Sequence, residues 1–211
     1  MTNKKEIAEA LLSIGAVRFS PDEPFTWASG IQSPIYCDNR LTMSHPEVRR
    51  LIAKALAGRI REEFPETEVV AGTATAGIPH AAWVSEELDL PMIYIRSKPK
   101  GHGRGNQIEG EIGEGAKTVI IEDLISTGGS SLTAAKAAAE AGSDVLGVAS
   151  IFTYGLDRAE DNFREASLPH FSLTDFEALA EAAAESGAVE GDKLPGLVEW
   201  HRKLKTGELN E

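Results

Sequence analysis

Two adjacent carboxylates, Glu122 and Asp123, end the apolar run Val119-Ile120-Ile121 and lead into Leu124-Ile125-Ser126-Thr127-Gly128-Gly129-Ser130-Ser131. Each part of this segment has a chemical use. If a helix opens after the glycines, the main-chain N–H groups of Ser126 to Ser130 lack partners and sit at the positive end of its dipole, which suits a phosphate. Gly128 and Gly129 allow the backbone to approach that phosphate closely. The carboxylates would repel the same group unless the ligand also presented hydroxyls or a metal, so the pair points to a phosphorylated sugar accompanied by Mg2+. A solvated turn with helix-favouring acids has the same composition; the order strand, acid pair, Thr-Gly-Gly, helix favours the phosphate.

Two further segments carry residues suited to anions. In Gly72-Thr73-Ala74-Thr75-Ala76-Gly77-Ile78-Pro79 no bulky side chain obstructs the backbone amides, so they can face a pyrophosphate. Small-residue turns of this kind also serve packing alone. The third segment holds Arg96, Lys98, Lys100, His102 and Arg104 within nine positions that contain no acid. Its glycines at 101, 103, 105 and 110 are too many for a strand or helix, and the stretch reads as a lid whose cations meet a leaving pyrophosphate. A mobile surface loop with solvated charges is the ordinary alternative. The excess of cations on an acidic chain argues against it. Nor is the Gly-x-Gly-x-Gly string a dinucleotide fingerprint, because it opens no helix.

That chain has 211 residues, a length for one domain, with 21 Lys and Arg against 33 Asp and Glu, a formal charge of −12. Such a balance disfavours nonspecific nucleic-acid binding. The single Cys37 cannot form an internal disulfide or a Cys-rich zinc site, and the start Met1-Thr2-Asn3-Lys4-Lys5-Glu6 lacks a secretory apolar region, so a cytoplasmic location is expected. No apolar run approaches the ~18 residues of a membrane span.

The elements that must position these segments follow from the apolar periods. Asn3-Lys4-Lys5-Glu6 has capping-box spacing for a helix with Ile7, Leu11, Leu12 and Ile14 on its apolar face, ended by Gly15. Phe25–Gly30 and Pro34–Asp38 read as a small hairpin-like module, and Ser44-His45-Pro46-Glu47 caps a helix to about Phe64. Strands are expected at Val69–Gly72, Met92–Ile95, Thr118–Ile121 and Val145–Phe152, alternating with helices through Glu87 and over Ser131–Ala141. Their unbroken apolar character predicts an α/β fold with a parallel sheet covered on both faces, whose ligands lie beyond the C-terminal strand ends. Asp157-x-x-Glu160 and Thr174-x-x-Glu177 read as caps of structural helices.

In this combination the Val119–Ser131 segment resembles the phosphoribosyl-diphosphate motif of the type I phosphoribosyltransferases. Phe25-Thr26-Trp27-Ala28-Ser29-Gly30 with Ser33-Pro34-Ile35-Tyr36, Arg96-Ser97-Lys98-Pro99-Lys100-Gly101-His102-Gly103, and Leu173-Thr174-Asp175-Phe176 look like the orotate-using branch of that family. The resemblance extends to about residue 205. It implies a single domain over 1–211, with a core at about 46–169 and a hood from 1–45 and about 170–211. It implies transfer of ribose 5-phosphate from 5-phosphoribosyl 1-diphosphate to orotate, and a homodimer whose lid reaches the neighbour's site. By residue, Ser126 to Ser130, preceded by Leu124 and Ile125, would hold the 5-phosphate, and Glu122 and Asp123 the ribose hydroxyls. Thr73, Ala74 and Thr75 would form a pyrophosphate loop, often with a cis peptide, and Arg96, Lys100 and His102 would meet the leaving group. Either Lys100 or His102 could protonate it. Mg2+ would ride mainly on the substrate, with no direct protein ligand.

Ser126, Arg40 and Tyr36 are the candidates for contact with orotate, although Arg40 equally suits a surface ion pair and Tyr36 the core. Some family members have Lys at the positions of Ala28 and Ser97, and others an Arg after the strand that here ends Phe152-Thr153-Tyr154-Gly155. A purine or uracil phosphoribosyltransferase, or a nonenzymatic nucleic-acid-binding regulator on the same fold, are the rival readings.

Overall fold

In the computed structural model, which describes residues 3–27, 30–98 and 107–210, the first helix begins as its spacing predicts. The Asn3 side chain accepts from the Glu6 N–H at 2.8 Å, and α1 (Lys4–Ser13) buries Ile7, Ala8 and Leu11. Two short antiparallel ladders follow. β1 (Val17–Phe19) pairs with β4 (Ile35–Cys37), and β2 (Phe25–Thr26) pairs with β3 (Gln32–Ser33). The expected hairpin is thus two ladders, in which each predicted segment pairs with a stretch that was not read as a strand.

The chain then makes a 3-10 turn at Asn39–Ser44 and enters α2 (Pro46–Glu63). Here the capping box expected at Ser44 is absent. Ser44 ends the 3-10 turn, and α2 starts from His45 with Pro46 in its first turn and no side-chain cap. Proline has no N–H to satisfy, so that end needs one donor fewer capped.

The main sheet contains β5 (Val69–Thr73), β6 (Met92–Ile95), β7 (Ile108–Glu109), β8 (Lys117–Ile125), β9 (Asp144–Thr153) and β10 (His170–Asp175). Their order is β10-β9-β8-β5-β6-β7, parallel except for β7, which runs against β6. The predicted parallel, doubly covered sheet is present, with α3 (Gly77–Leu88) and α4 (Gly129–Glu140) among the helices packed on it. Val70, Ile93, Ile120, Val148 and Ile151 supply its inner layer, each at most 1% exposed.

Three elements differ from the sequence expectation, each for a local reason. β8 continues to Ile125 because β9 runs on beside it to Thr153, so Glu122 and Asp123 are residues of the strand itself. α4 begins at Gly129, two residues earlier than expected, from Gly128 in a left-handed conformation (φ 78°). Residues 170–175 form edge strand β10, and the helix after it, α6 (Phe176–Glu185), is capped by Asp175 through Ala178 N–H at 3.0 Å. Thr174 instead donates to the Lys4 carbonyl at 2.9 Å.

Between β9 and β10 lies α5 (Asp157–Glu165), and the last helix is α7 (Leu194–Thr206). The two ends of the chain are tied together. Trp200 Nε1 donates to the Gln32 carbonyl at 3.0 Å, Lys193 pairs with Asp22 at 2.5 Å, and Trp27 packs against Tyr154 and Trp200.

Two glycines set how closely the α3 turn meets the acid-bearing strand. A Cβ at Gly77 would lie 2.4 Å from the Ile121 carbonyl oxygen, and one at Gly72 would lie 2.9 Å from Ile78 Cα. Both obstacles are backbone, which cannot rotate away. Gly77→Ala is therefore expected to lower stability by about 2 kcal/mol through forced displacement of α3 from β8. Urea unfolding showing a change within 0.5 kcal/mol, or about the usual effect of a neutral surface substitution, would remove this account of the packing.

Candidate functional site

Glu122 is buried and Asp123 half-buried where β8 outruns β5. Pairing between β5 and β8 stops at Gly72 opposite Ile121, so the next residues of β8 have no neighbour on that side. Glu122 is 5% exposed, and its Oε2 accepts from Ser130 Oγ at 2.8 Å and Ser131 Oγ at 3.4 Å in the first turn of α4. Its Oε1 accepts from the Asp123 N–H at 3.1 Å. Desolvation, reinforced by the negative charge of Asp123, pushes Glu122 up to about 8, and desolvation also raises Asp123. Both carboxyls thus bind a proton more readily than they would in water, and the two titrations are linked.

The Ser126–Ser130 turn is shaped by its backbone. Gly128 lies against Phe163, whose ring a Cβ would meet at 2.7 Å, and Asn162 Nδ2 holds the Thr127 carbonyl at 2.8 Å. No side chain caps the N-terminus of α4, so its first N–H groups remain available to a ligand.

A cavity of about 210 Å3 joins this turn to the two other segments. Thr73, Ala74, Arg96, Ser97, Gly129 and Ser130 are among its lining residues. The Ala74–Thr75 peptide is cis, the form that the family resemblance implies for a pyrophosphate loop. Thr73 Oγ1 is buried and without a hydrogen-bond partner among the described residues. A buried hydroxyl on the wall of a cavity asks for a polar ligand.

Arg96 is anchored at the neck of the basic segment. Its N–H donates to the Gln107 carbonyl at 2.9 Å, Gln107 Nε2 donates back to the Arg96 carbonyl at 2.7 Å, and β6 pairs with β7 just below. The guanidinium approaches Glu109 at 3.5 Å and is 42% exposed. Lys98 is exposed, and Lys100 and His102 lie outside the described residues.

None of the orotate candidates is among the residues that line this cavity. Arg40 is exposed and clamps Asp38 with two bonds, Nε to Oδ1 at 2.6 Å and Nη2 to Oδ2 at 2.9 Å. Tyr36 is half-buried, 5.6 Å from the Phe25 ring and under the Arg18 guanidinium at 5.4 Å. Ser126 is half-buried at the strand end, off the cavity wall. Among the described residues no three His, Cys, Asp or Glu side chains gather into a metal site.

Residues 43–179 match the phosphoribosyl transferase domain family. This chain is a phosphoribosyltransferase-family protein. It is 60% identical over 199 residues to the orotate phosphoribosyltransferase of Bacillus subtilis, a match covering 94% of this chain and 92% of that protein. The Listeria innocua orotate phosphoribosyltransferase is 58% identical over 202 residues, 96% of this chain and 97% of its own. Among solved structures, Leishmania donovani UMP synthase superposes with a TM-score of 0.80 at 28% identity, covering 95% of this chain and 42% of that longer one.

Several residues that shape this phosphoribosyltransferase site were not legible as such. Ser131, Asn162 and Gln107 act through single hydrogen bonds across the fold, and Asn39, buried in the 3-10 turn, donates to the Asp123 carbonyl at 2.8 Å. Polar residues in polar stretches give no periodic signal.

The protonation of Glu122 has a measurable consequence. Its folded value, about 8, exceeds the ordinary 4.5, so the folded state holds the proton more tightly than the unfolded one. The resulting stability is complete below the unfolded value and is lost as pH rises toward the folded one. Glu122→Gln should thus flatten the decline of Tm with pH across this window and leave the ligand-free protein more stable than the parent at pH 8. Superimposable Tm–pH curves for the two proteins would contradict the burial-driven shift.

Proposed function

We propose that this chain transfers ribose 5-phosphate from 5-phosphoribosyl 1-diphosphate to N1 of orotate, giving orotidine 5′-phosphate and pyrophosphate in UMP biosynthesis. The observation that carries the reading is the meeting of Thr73, Arg96 and the start of α4 on one cavity, with Glu122 hydrogen-bonded to Ser130 on its wall. The names of the Bacillus and Listeria relatives support orotate as the base.

In this reading the N–H groups of Ser126 to Ser130 bind the 5-phosphate, and Glu122 and Asp123 accept from the ribose hydroxyls. Thr73, Ala74 and Thr75 hold the diphosphate, with Arg96 beside it. As the C1–oxygen bond stretches, positive charge grows on the ribose and negative charge on the leaving diphosphate. The acid pair stabilises the first; Arg96, with Lys100 and His102 of the lid, stabilises the second. Lys100 or His102 gives the departing diphosphate its proton. Ser126, Arg40 and Tyr36 serve the base, Arg40 by exchanging Asp38 for the orotate carboxylate.

The donors among the described residues around the cavity are the hydroxyls of Thr73, Ser97, Ser130 and Thr133, main-chain amides and the Arg96 guanidinium, a set suited to diphosphate oxygens that leaves a hard cation to be carried by them. Mg2+ carried on the diphosphate would supply neutralisation of charge on the leaving group. We place the enzyme in the cytoplasm as a homodimer of single-domain chains, with residues 1–45 and the C-terminal segment from about 170 as a hood.

Loss of orotate absorbance in the presence of 5-phosphoribosyl 1-diphosphate and Mg2+ tests the activity directly. Consumption of uracil or hypoxanthine in place of orotate would overturn the choice of base. Asp123→Asn should lower kcat by about 10²-fold or more with the fold intact, the loss expected of one well-placed electrostatic contact. A near-normal kcat would end its assignment to the ribose.

The shared lid predicts complementation. Lys100→Ala and Asp123→Asn homodimers would each be inactive, but exchange at equal mixing gives roughly half heterodimers, each with one intact site, restoring about a quarter of wild-type activity. If exchange is verified by mass spectrometry and activity stays at the parental level, both residues serve the same chain's site.

A further inference from the structure

Asn39 joins the N-terminal module to the acid pair through a hydrogen bond to the Asp123 carbonyl. Beyond Ile121, β8 has lost β5, so the Asp123 carbonyl has no ladder partner there. Asn39 Nδ2 fills that place at 2.8 Å. The side-chain amide is itself oriented: Cys37 Sγ–H donates to Asn39 Oδ1 at 3.4 Å. With the thiol giving its proton to the oxygen, the nitrogen must face the Asp123 carbonyl; the reverse orientation would set two oxygens against each other.

The residue's backbone is also fixed. Thr42 Oγ1 donates to the Asn39 carbonyl at 2.6 Å, and Asn39 is 1% exposed. One residue earlier, the Asp38 N–H bonds to the Ala16 carbonyl at 2.7 Å, which fastens the turn to the N-terminal module. Asp123 is thereby held on both peptide groups, its N–H by Glu122 Oε1 at 3.1 Å and its carbonyl by Asn39. Those two bonds set the direction in which its carboxyl leaves the strand.

We infer that Asn39 is a positioning residue for the acid pair, aligning Asp123 toward the ribose while itself touching no substrate. The inference rests on the phosphoribosyl-transfer reading above. It also gives the N-terminal module a task besides covering the site: the module's placement and the acid pair's orientation become one degree of freedom.

A double-mutant cycle separates this role from simple support of the fold. Asn39→Leu keeps size, adds no charge and removes the donor. In the wild-type background it is expected to lower kcat about 30-fold, since small misplacements of a reacting group cost up to about 10²-fold, with KM for both substrates changed by less than about threefold. In the Asp123→Asn background the same substitution should cost less than about threefold, because the group it aligns is already gone.

Equal losses in both backgrounds would make Asn39 a structural residue only and overturn the inference. Asn39→Ser, whose hydroxyl is too short to reach the carbonyl, is the second variant should Asn39→Leu melt below assay temperature. Failure of both to fold would likewise make the residue one of the fold. If Asp123→Asn alone leaves kcat unchanged, the assignment of the acid pair fails; if it abolishes activity while Asn39→Leu is normal, only the positioning role fails.

Discussion

Two carboxyl groups sit side by side at the dry end of a parallel sheet, and most of the surrounding architecture is arranged to hold them. Isolated burial of a carboxylate is costly, and two together are worse, so both carboxyls are shifted toward the protonated form, and two hydroxyls and an N–H satisfy the oxygens of Glu122. Ser130 and Ser131 can reach Glu122 only because α4 begins at Gly129, immediately beyond the strand end. That early start in turn needs Gly128 in the left-handed conformation, close against Phe163. The same turn leaves the first N–H groups of α4 without a side-chain cap, so one backbone solution both brings the serines to Glu122 and leaves donors free at the helix start.

The other half of the site is made without acids. Thr73 and Ala74 present a small-residue turn that Gly72 and Gly77 press against β8, and Arg96 rises from a neck closed by Gln107. A chain of net charge −12 would otherwise repel a diphosphate. Arg96, on the cavity wall, brings a positive charge to that point of an otherwise acidic chain.

The sheet was legible because strands covered on both faces are unbroken apolar runs, and Val69–Gly72, Met92–Ile95 and Val145–Phe152 fall inside observed strands. β8 was shortened in the reading because acids ordinarily end a strand; here the neighbour β9 carries the ladder past them. The β10 stretch gives no clear strand signal because His170, Ser172 and Thr174 dilute its apolar pattern, while the Thr174-x-x-Glu177 spacing suggests only a helix start. In the site, Glu122, Asp123 and the Ser/Thr/Gly turn stood out by order along the chain. Asn39 could not: its partner lies 84 residues away, and nothing in Asp38-Asn39-Arg40 distinguishes a buried donor from a solvated turn. Likewise, the Arg40 clamp on Asp38 is a conformation that composition leaves open.

In the proposed reaction, the desolvation that raises the affinity of Glu122 and Asp123 for a proton would also suit them to a cation that exists only briefly. A pair fully neutralised by a resident Arg or Lys would have spent its electrostatic preference in the free enzyme; Arg40, the nearby guanidinium, is instead engaged by Asp38. Ribose hydroxyls can satisfy the carboxyl oxygens as hydrogen-bond donors without matching their charge. Only the positive charge that develops at the sugar as the leaving group departs does that, so the interaction strengthens along the reaction and not on binding alone. On the proposed reading, the desolvation that destabilises the ionised pair in the ligand-free protein is therefore the same property that would make it respond to the transition state.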